Sequence, residues 1–157
     1  MDIDLPKFDA VDWHILEVLQ HDARITNREL ADKVGLSPSA SLARMRSLRE
    51  RGVIKGFAAE LDLKQLGLPL QAIVAIRLHT HHRTMLDTFV RELVNLDETL
   101  DLFHVTGDAD YLLHLAVRDP EHLRDVVLDQ LTSRQEVAQV TTSLVFRHHR
   151  SAVVKTS

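Results

Sequence analysis

The chain has no cysteine among its 157 residues. That excludes disulfides and thiolate zinc sites, and it fits a reducing cytoplasm, which is where the sequence reading puts the protein. Long apolar runs are missing as well. No segment approaches the length of a membrane span, and the acidic stretch over residues 1–10 lacks the apolar core of a signal peptide. There is no nucleophile elbow, no phosphate loop, no paired-carboxylate site and no low-complexity segment. A net positive charge is lacking too: the formal charge is -4, so any binding of nucleic acid must come from a local patch. What remains is an ordinary apolar share of 45%, enough to bury a core, in a length that holds one domain or two small ones.

The basic residues are concentrated between Asn27 and Gly52, in NRELADKVGLSPSASLARMRSLRERG. A short helix carries Leu30, Ala31 and Val34 and stops at Gly35. Ser37 then caps a second helix whose first position is Pro38. The second helix carries an apolar stripe of Leu42, Met45 and Leu48 and ends at Gly52. Two helices joined by a tight, glycine-containing turn form a helix-turn-helix, whose second helix enters the major groove of DNA. From Ser37 to Gly56, Arg44, Arg46, Arg49, Arg51 and Lys55 face a single acid, Glu50. Arg44, Ser47 and Arg51 read as lying opposite the apolar stripe, with the small residues Ser39, Ala40 and Ala43 near the helix start. The candidate DNA-contacting set is Ser37, Ser39, Ala40, Ala43, Arg44, Arg46, Ser47, Arg51 and Lys55. The alternative is a three-helix packing unit with a solvated basic face.

Upstream, residues 8–21 read as a helix capped by Asp9, with Asp12 in its first turn and Phe8, Val11, Ile15, Leu16 and Leu19 on its apolar side. Thr26 or Asn27 caps the next helix. Downstream, Val53 to Leu61 reads as one or two short strands, a wing or hinge. Leu66-Gly67-Leu68-Pro69 then breaks the chain. These signals divide the sequence into a DNA-binding domain at 1–56, a linker at 57–69 and a second domain at 70–157.

The second domain alternates strands and helices. Strands are expected over Leu70–His79, Thr99–Thr106, Tyr111–Arg118 and Val137–Arg147. Helices are expected over Thr84–Leu96, with Met85, Leu86, Phe89, Val90 and Leu93 inside, and after Asp119-Pro120-Glu121. The order βαββαβ predicts a ferredoxin-like two-layer sandwich, so the chain is α+β. Ala72 to Ile76 and Leu112-Leu113 put apolar residues on both faces of the sheet. The face that the helices leave open therefore packs against another sheet, most simply across a dimer two-fold.

In order and spacing these pieces resemble the Lrp/AsnC regulators, the leucine- and asparagine-responsive or feast/famine transcription factors. The resemblance covers nearly the whole chain. It rests on Phe8-Asp9, Asp12, Ile15-Leu16, Arg24-Ile25, Asn27 and Glu29-Leu30. It continues through Val34-Gly35-Leu36-Ser37-Pro38, Leu42, Arg44, Leu48, Gly52-Val53-Ile54 and Gly56-Phe57, and ends with Val105 to Asp108, Asp110 to Leu113, Thr142 and Lys155. It implies a winged helix-turn-helix joined to a ligand-sensing ferredoxin-like domain. It also implies homodimers that assemble into tetramers or octamers on double-stranded DNA, and a small effector, commonly an amino acid, with no cofactor or metal. The effector candidates it carries over are His104, Thr106, Gly107, Asp108, Asp110 and Tyr111, with Ala138, Gln139 and Thr142 on the facing segment. Gly107 permits close approach to the backbone and the carboxylates suit an ammonium group. Gly107 to Asp110 also read as a plain hairpin turn. Two departures stand out: Gln135-Glu136 replaces a frequent Pro-Gly, and Ala43 replaces a frequent charged residue.

Two other readings use the histidines. His79, His81 and His82, with His104, His114, His148 and His149, invite a metal site, but no carboxylate stands at a firm ligand spacing beside them. Siroheme decarboxylases are similar to the same family, and that enzyme reading would employ His104, His114 and nearby arginines. It leaves the basic second helix without a purpose.

Overall fold

The computed structural model describes residues 8–79 and 83–149, the side chains of 83–85 excepted. His81, His82, Lys155 and the side chain of Met85, all singled out above, lie outside what is described. The chain divides into two compact units between Glu60 and Leu61, the second running Leu61–His148.

The first unit is three helices: α1 (Ala10–His21), α2 (Asn27–Val34) and α3 (Pro38–Glu50). Each starts where a side chain satisfies the free backbone N–H groups of the first turn. Asp9 caps α1 and Asp12 returns the favour, its carboxylate accepting from the Asp9 N–H; Thr26 and Glu29 make the same reciprocal box on α2. The Ser37 hydroxyl accepts from the Ala40 N–H at 3.3 Å. Gly35 sits at φ 69, which ends α2 and aims the chain into α3. The Asn27 amide donates to the Pro38 carbonyl at 2.7 Å, tying the starts of α2 and α3 together. Ile15, Leu19, Leu30, Val34 and Leu48 form the core between the helices.

No strand is assigned between Val53 and Leu61, where the sequence reading expects a short ribbon. Val53 and Ile54 pack against the helical core instead, and both their N–H groups donate to the Leu48 carbonyl. Among the described residues no strand pairs with Val53 and Ile54, and closing the end of α3 satisfies their N–H groups.

The second unit is a four-stranded antiparallel sheet in the order β2-β3-β1-β4, made of β1 (Leu70–Leu78), β2 (Thr99–His104), β3 (Tyr111–Val117) and β4 (Val137–Val145). Helices α4 (Arg83–Val94) and α5 (Pro120–Val127), the latter continued by a π turn to Thr132, supply the second layer. Register explains the core. Ala72 lies opposite Leu115, Val74 opposite Leu113 and Ile76 opposite Tyr111, all pointing to the helices. Phe89, Leu93, Leu123, Val126 and Leu131 close over them. The alternate residues form the other face: Gln71, Ile73, Ala75, Phe103, Leu112 and His114. His114 is buried there, hydrogen-bonded to the Gln71 side-chain oxygen at 3.0 Å and 3.5 Å from Asp101.

Candidate DNA-reading and effector sites

The outward stripe of α3 is set by what the helix buries. Ser41 and Leu48 are buried, seven residues apart on one side. Ser39, Ala43, Arg46 and Glu50 are exposed on the opposite side, at spacings of four, three and four. Of the nine sequence candidates on this unit, Ser39, Ala43 and Arg46 thus form one continuous exposed row. Ser37 is engaged as the cap and meets the Ser39 hydroxyl at 3.2 Å. Ala40 and Ser47 flank the row, half-buried, and Lys55 is exposed beyond the end of the helix.

Arg44 and Arg51 turn the other way. The Arg44 guanidinium reaches Asp9 at 2.5 Å and Asp12 at 3.0 Å through one nitrogen, Nη1. Arg51 lies over the Phe8 ring at 4.7 Å. Both therefore face the start of α1. The Asp12 backbone N–H first, and Arg44 second, hold the Asp9 carboxyl below its usual value; the same ion pairs raise Arg44 further above the range in which it titrates. Phasing on Leu42, Met45 and Leu48, as the sequence suggests, sets Arg44 opposite the buried side. Leu42 and Met45 are only half-buried, and the buried centre of the stripe is Ser41 and Leu48.

In the second unit, the effector candidates gather at one end of the sheet. Tyr111 pairs with Ile76 of β1, which pairs with Val140 of β4, so Ala138 and Gln139 stand at the same end as the 105–110 turn. Thr142 lies further in, opposite Val74. Thr106, Gly107 and Asp108 are exposed, and Gly107 has φ 119, a conformation that suits glycine. Asp110 is held by the fold: its carboxylate accepts from the Leu78 N–H at 2.7 Å and its own N–H donates to Ile76. His104 stacks on Tyr111 with ring centroids 4.7 Å apart. Burial first, then the nearby Asp110 and Asp87 carboxylates, raise the Tyr111 phenol above its ordinary value.

His104 and Tyr111 also line a shallow groove of about 520 Å³ between α4 and the sheet edge. The α4 side supplies two parallel rows at helical spacing. Leu86, Val90 and Val94 are apolar, while Asp87, Arg91 and Asn95 are polar. The four-residue spacing of this polar row is visible in the sequence, but its place beside His104 is set only by the fold. Among the described residues no cluster of three or more histidines and acids is placed to hold a metal ion. No described helix is long and apolar enough to cross a membrane.

Two family models match the chain. Residues 8–55 match the family model for a winged helix-turn-helix DNA-binding domain, and residues 71–153 match that of the Lrp/AsnC ligand binding domain. The chain is 38% identical to the transcriptional regulator AldR of Mycobacterium tuberculosis over 151 residues, covering 96% of this chain and 84% of that protein. It is 35% identical to the leucine-responsive regulatory protein of Rhizobium meliloti, covering 93% and 94% of the two chains. Among solved structures, a transcriptional regulator of Neisseria meningitidis in complex with L-methionine superposes with a TM-score of 0.87 at 33% identity, over 94% of this chain and 97% of that one. An exposed Ser39–Ala43–Arg46 row on a capped second helix, a ferredoxin-like sheet and these full-length likenesses lead to one assignment: the chain belongs to the Lrp/AsnC family of transcriptional regulators.

Proposed function

We propose that the protein is a sequence-specific DNA-binding regulator whose hold on an operator is tuned by an amino acid bound to its sheet domain. The observation that carries the reading is α3. It is capped at Ser37, started by Pro38 and turned so that Ser39, Ala43 and Arg46 are exposed in a row while Ser41 and Leu48 are buried. Small residues at the start of such a helix let it come close to base edges, and Arg46 has the reach and fork geometry for guanine or phosphate. Lys55 adds positive charge for the backbone.

The end of the sheet is the effector site in this reading. Thr106, Gly107 and Asp108 offer a hydroxyl, open backbone and a carboxylate; the exposed His104, stacked on the buried Tyr111, supplies an aromatic platform on the helix side, while Gln139, paired with Arg77, stands on the other side of the same end of the sheet. An α-amino acid presents the complementary groups, and the relative from Neisseria was solved with L-methionine. The open sheet face, with Phe103 half exposed beside Ile73 and Leu112, is the dimer surface, and dimers assemble further on DNA. The chemistry is recognition rather than catalysis.

The test is selection of bound fragments from a genomic library by the purified protein, at two salt concentrations. Related, roughly two-fold symmetric sites, lost as salt rises, are the expected result. Recovery of nothing above background at low salt would sink the reading.

A further inference from the structure

Arg44 stands in the middle of the DNA-reading helix, yet its geometry assigns it elsewhere. It shares the inward side of α3 with Ser41 and Leu48, which lie three residues before it and four after. Its Nη1 donates to Asp9 Oδ2 and Asp12 Oδ1. Each of those carboxylates divides its two oxygens. Asp9 Oδ1 accepts from the Asp12 N–H at 2.8 Å, and Asp12 Oδ2 accepts from the Asp9 N–H at 3.5 Å. One oxygen of each acid thus closes the first turn of α1 while the other holds Arg44. The Asp12 side chain is only 7% exposed. Arg44 is 41% exposed, so the pair is only partly buried, but moving Arg44 onto a phosphate would still take the counter-charge from the Asp12 carboxylate. The cluster of two acids and one base carries a net negative charge, balanced in part by the positive end of α1. It adds no attraction for DNA.

We infer that Arg44 is a positioning residue, not a DNA contact: with Asp9 and Asp12 it clamps the reading helix α3 to the first turn of α1. The clamp fixes the roll of α3, and so which row of side chains faces outward. This rests on the reading of α3 as the DNA-reading helix. Arg46 is then the arginine of the exposed row that faces DNA, with the exposed Arg49 one position round the helix from that row.

The experiment uses the full-length protein and one fragment recovered from the genomic selection, titrated over a range of salt. Arg44→Met, Asp12→Asn, their combination and Arg46→Ala are compared with the wild type, together with urea unfolding of each. A clamp predicts that Arg44→Met and Asp12→Asn each weaken binding by about fivefold, with the salt slope of the wild type. The combination is no worse than either alone. Arg46→Ala, in contrast, lowers the slope by about one phosphate contact. A slope that falls in Arg44→Met, or binding that tightens in Asp12→Asn as a negative charge leaves the DNA side, would overturn the clamp. If the wild type binds no fragment, the regulator reading fails. The unfolding cycle still judges the clamp, since additive losses for Arg44→Met and Asp12→Asn would reject it.

Discussion

Asp108 and Asp110 stand two residues apart in one turn and carry different duties. The Asp110 carboxylate is spent on the Leu78 N–H, where it stitches the turn to the end of β1. Asp108 is exposed. Asp110→Ala leaves a part-buried N–H without that acceptor and is expected to lower stability by about 1–2 kcal/mol in urea unfolding. Asp108→Ala is expected to leave the unfolding midpoint unchanged and DNA binding without effector unchanged, while weakening the effector response. A response that survives Asp108→Ala would return that residue to plain turn chemistry. The distinction matters because loss of response in an Asp110 variant reports the fold rather than the ligand.

At the scale of elements, the turn between α2 and α3 depends on one backbone conformation. Gly35 at φ 69 has open space around a Cβ, so Gly35→Ala meets no clash but carries the strain of a left-handed alanine, about 1 kcal/mol. Thermal or urea unfolding reads it directly. The caps add a pH signature. Backbone and Arg44 contacts lower the Asp9 pKa, and the Thr26 hydroxyl, then its backbone N–H, lower that of Glu29. Both acids bind protons less readily in the folded state than in the unfolded one. Their stabilisation is therefore complete above the unfolded values, about 4, and is lost as pH falls through the depressed folded values. Melting of the first unit should drop over that acid range, and Asp9→Asn should flatten the drop; an Asp9→Asn profile parallel to the wild type would contradict it.

These same elements show what was legible beforehand. Caps, the Gly35 stop, the Pro38 start and the near-continuous apolar runs of β1 and β3 are local signals, and each lies where the residues put it. The roll of α3 was not legible, because a serine, Ser41, occupies the centre of its buried side and apolar periodicity passes over it. Val53 to Leu61 has strand-forming residues, but strand formation needs a partner that sequence does not supply. The groove between α4 and β2 needed the tertiary fold to bring Asp87 and Arg91 beside His104.

At the scale of the whole molecule, the proposed coupling of effector to DNA runs through assembly. The open sheet face holds Ile73, Ala75 and Leu112 beside the half-exposed Phe103. A charge at its centre, Ile73→Asp, should break the proposed dimer into monomers in sedimentation and weaken binding to a two-half-site fragment far more than to a single half-site. Unchanged sedimentation would move the interface elsewhere.

The most direct test of the regulator itself is reciprocal linkage. The affinity of the purified protein for a selected fragment is measured with and without each amino acid, and the affinity for the active amino acid is measured with and without the fragment. The account predicts one amino acid that shifts DNA affinity by about 5- to 150-fold, and a shift of the same factor in amino-acid affinity when DNA is present. Amino-acid binding that is indifferent to DNA, alongside DNA binding that is indifferent to every amino acid, would contradict it.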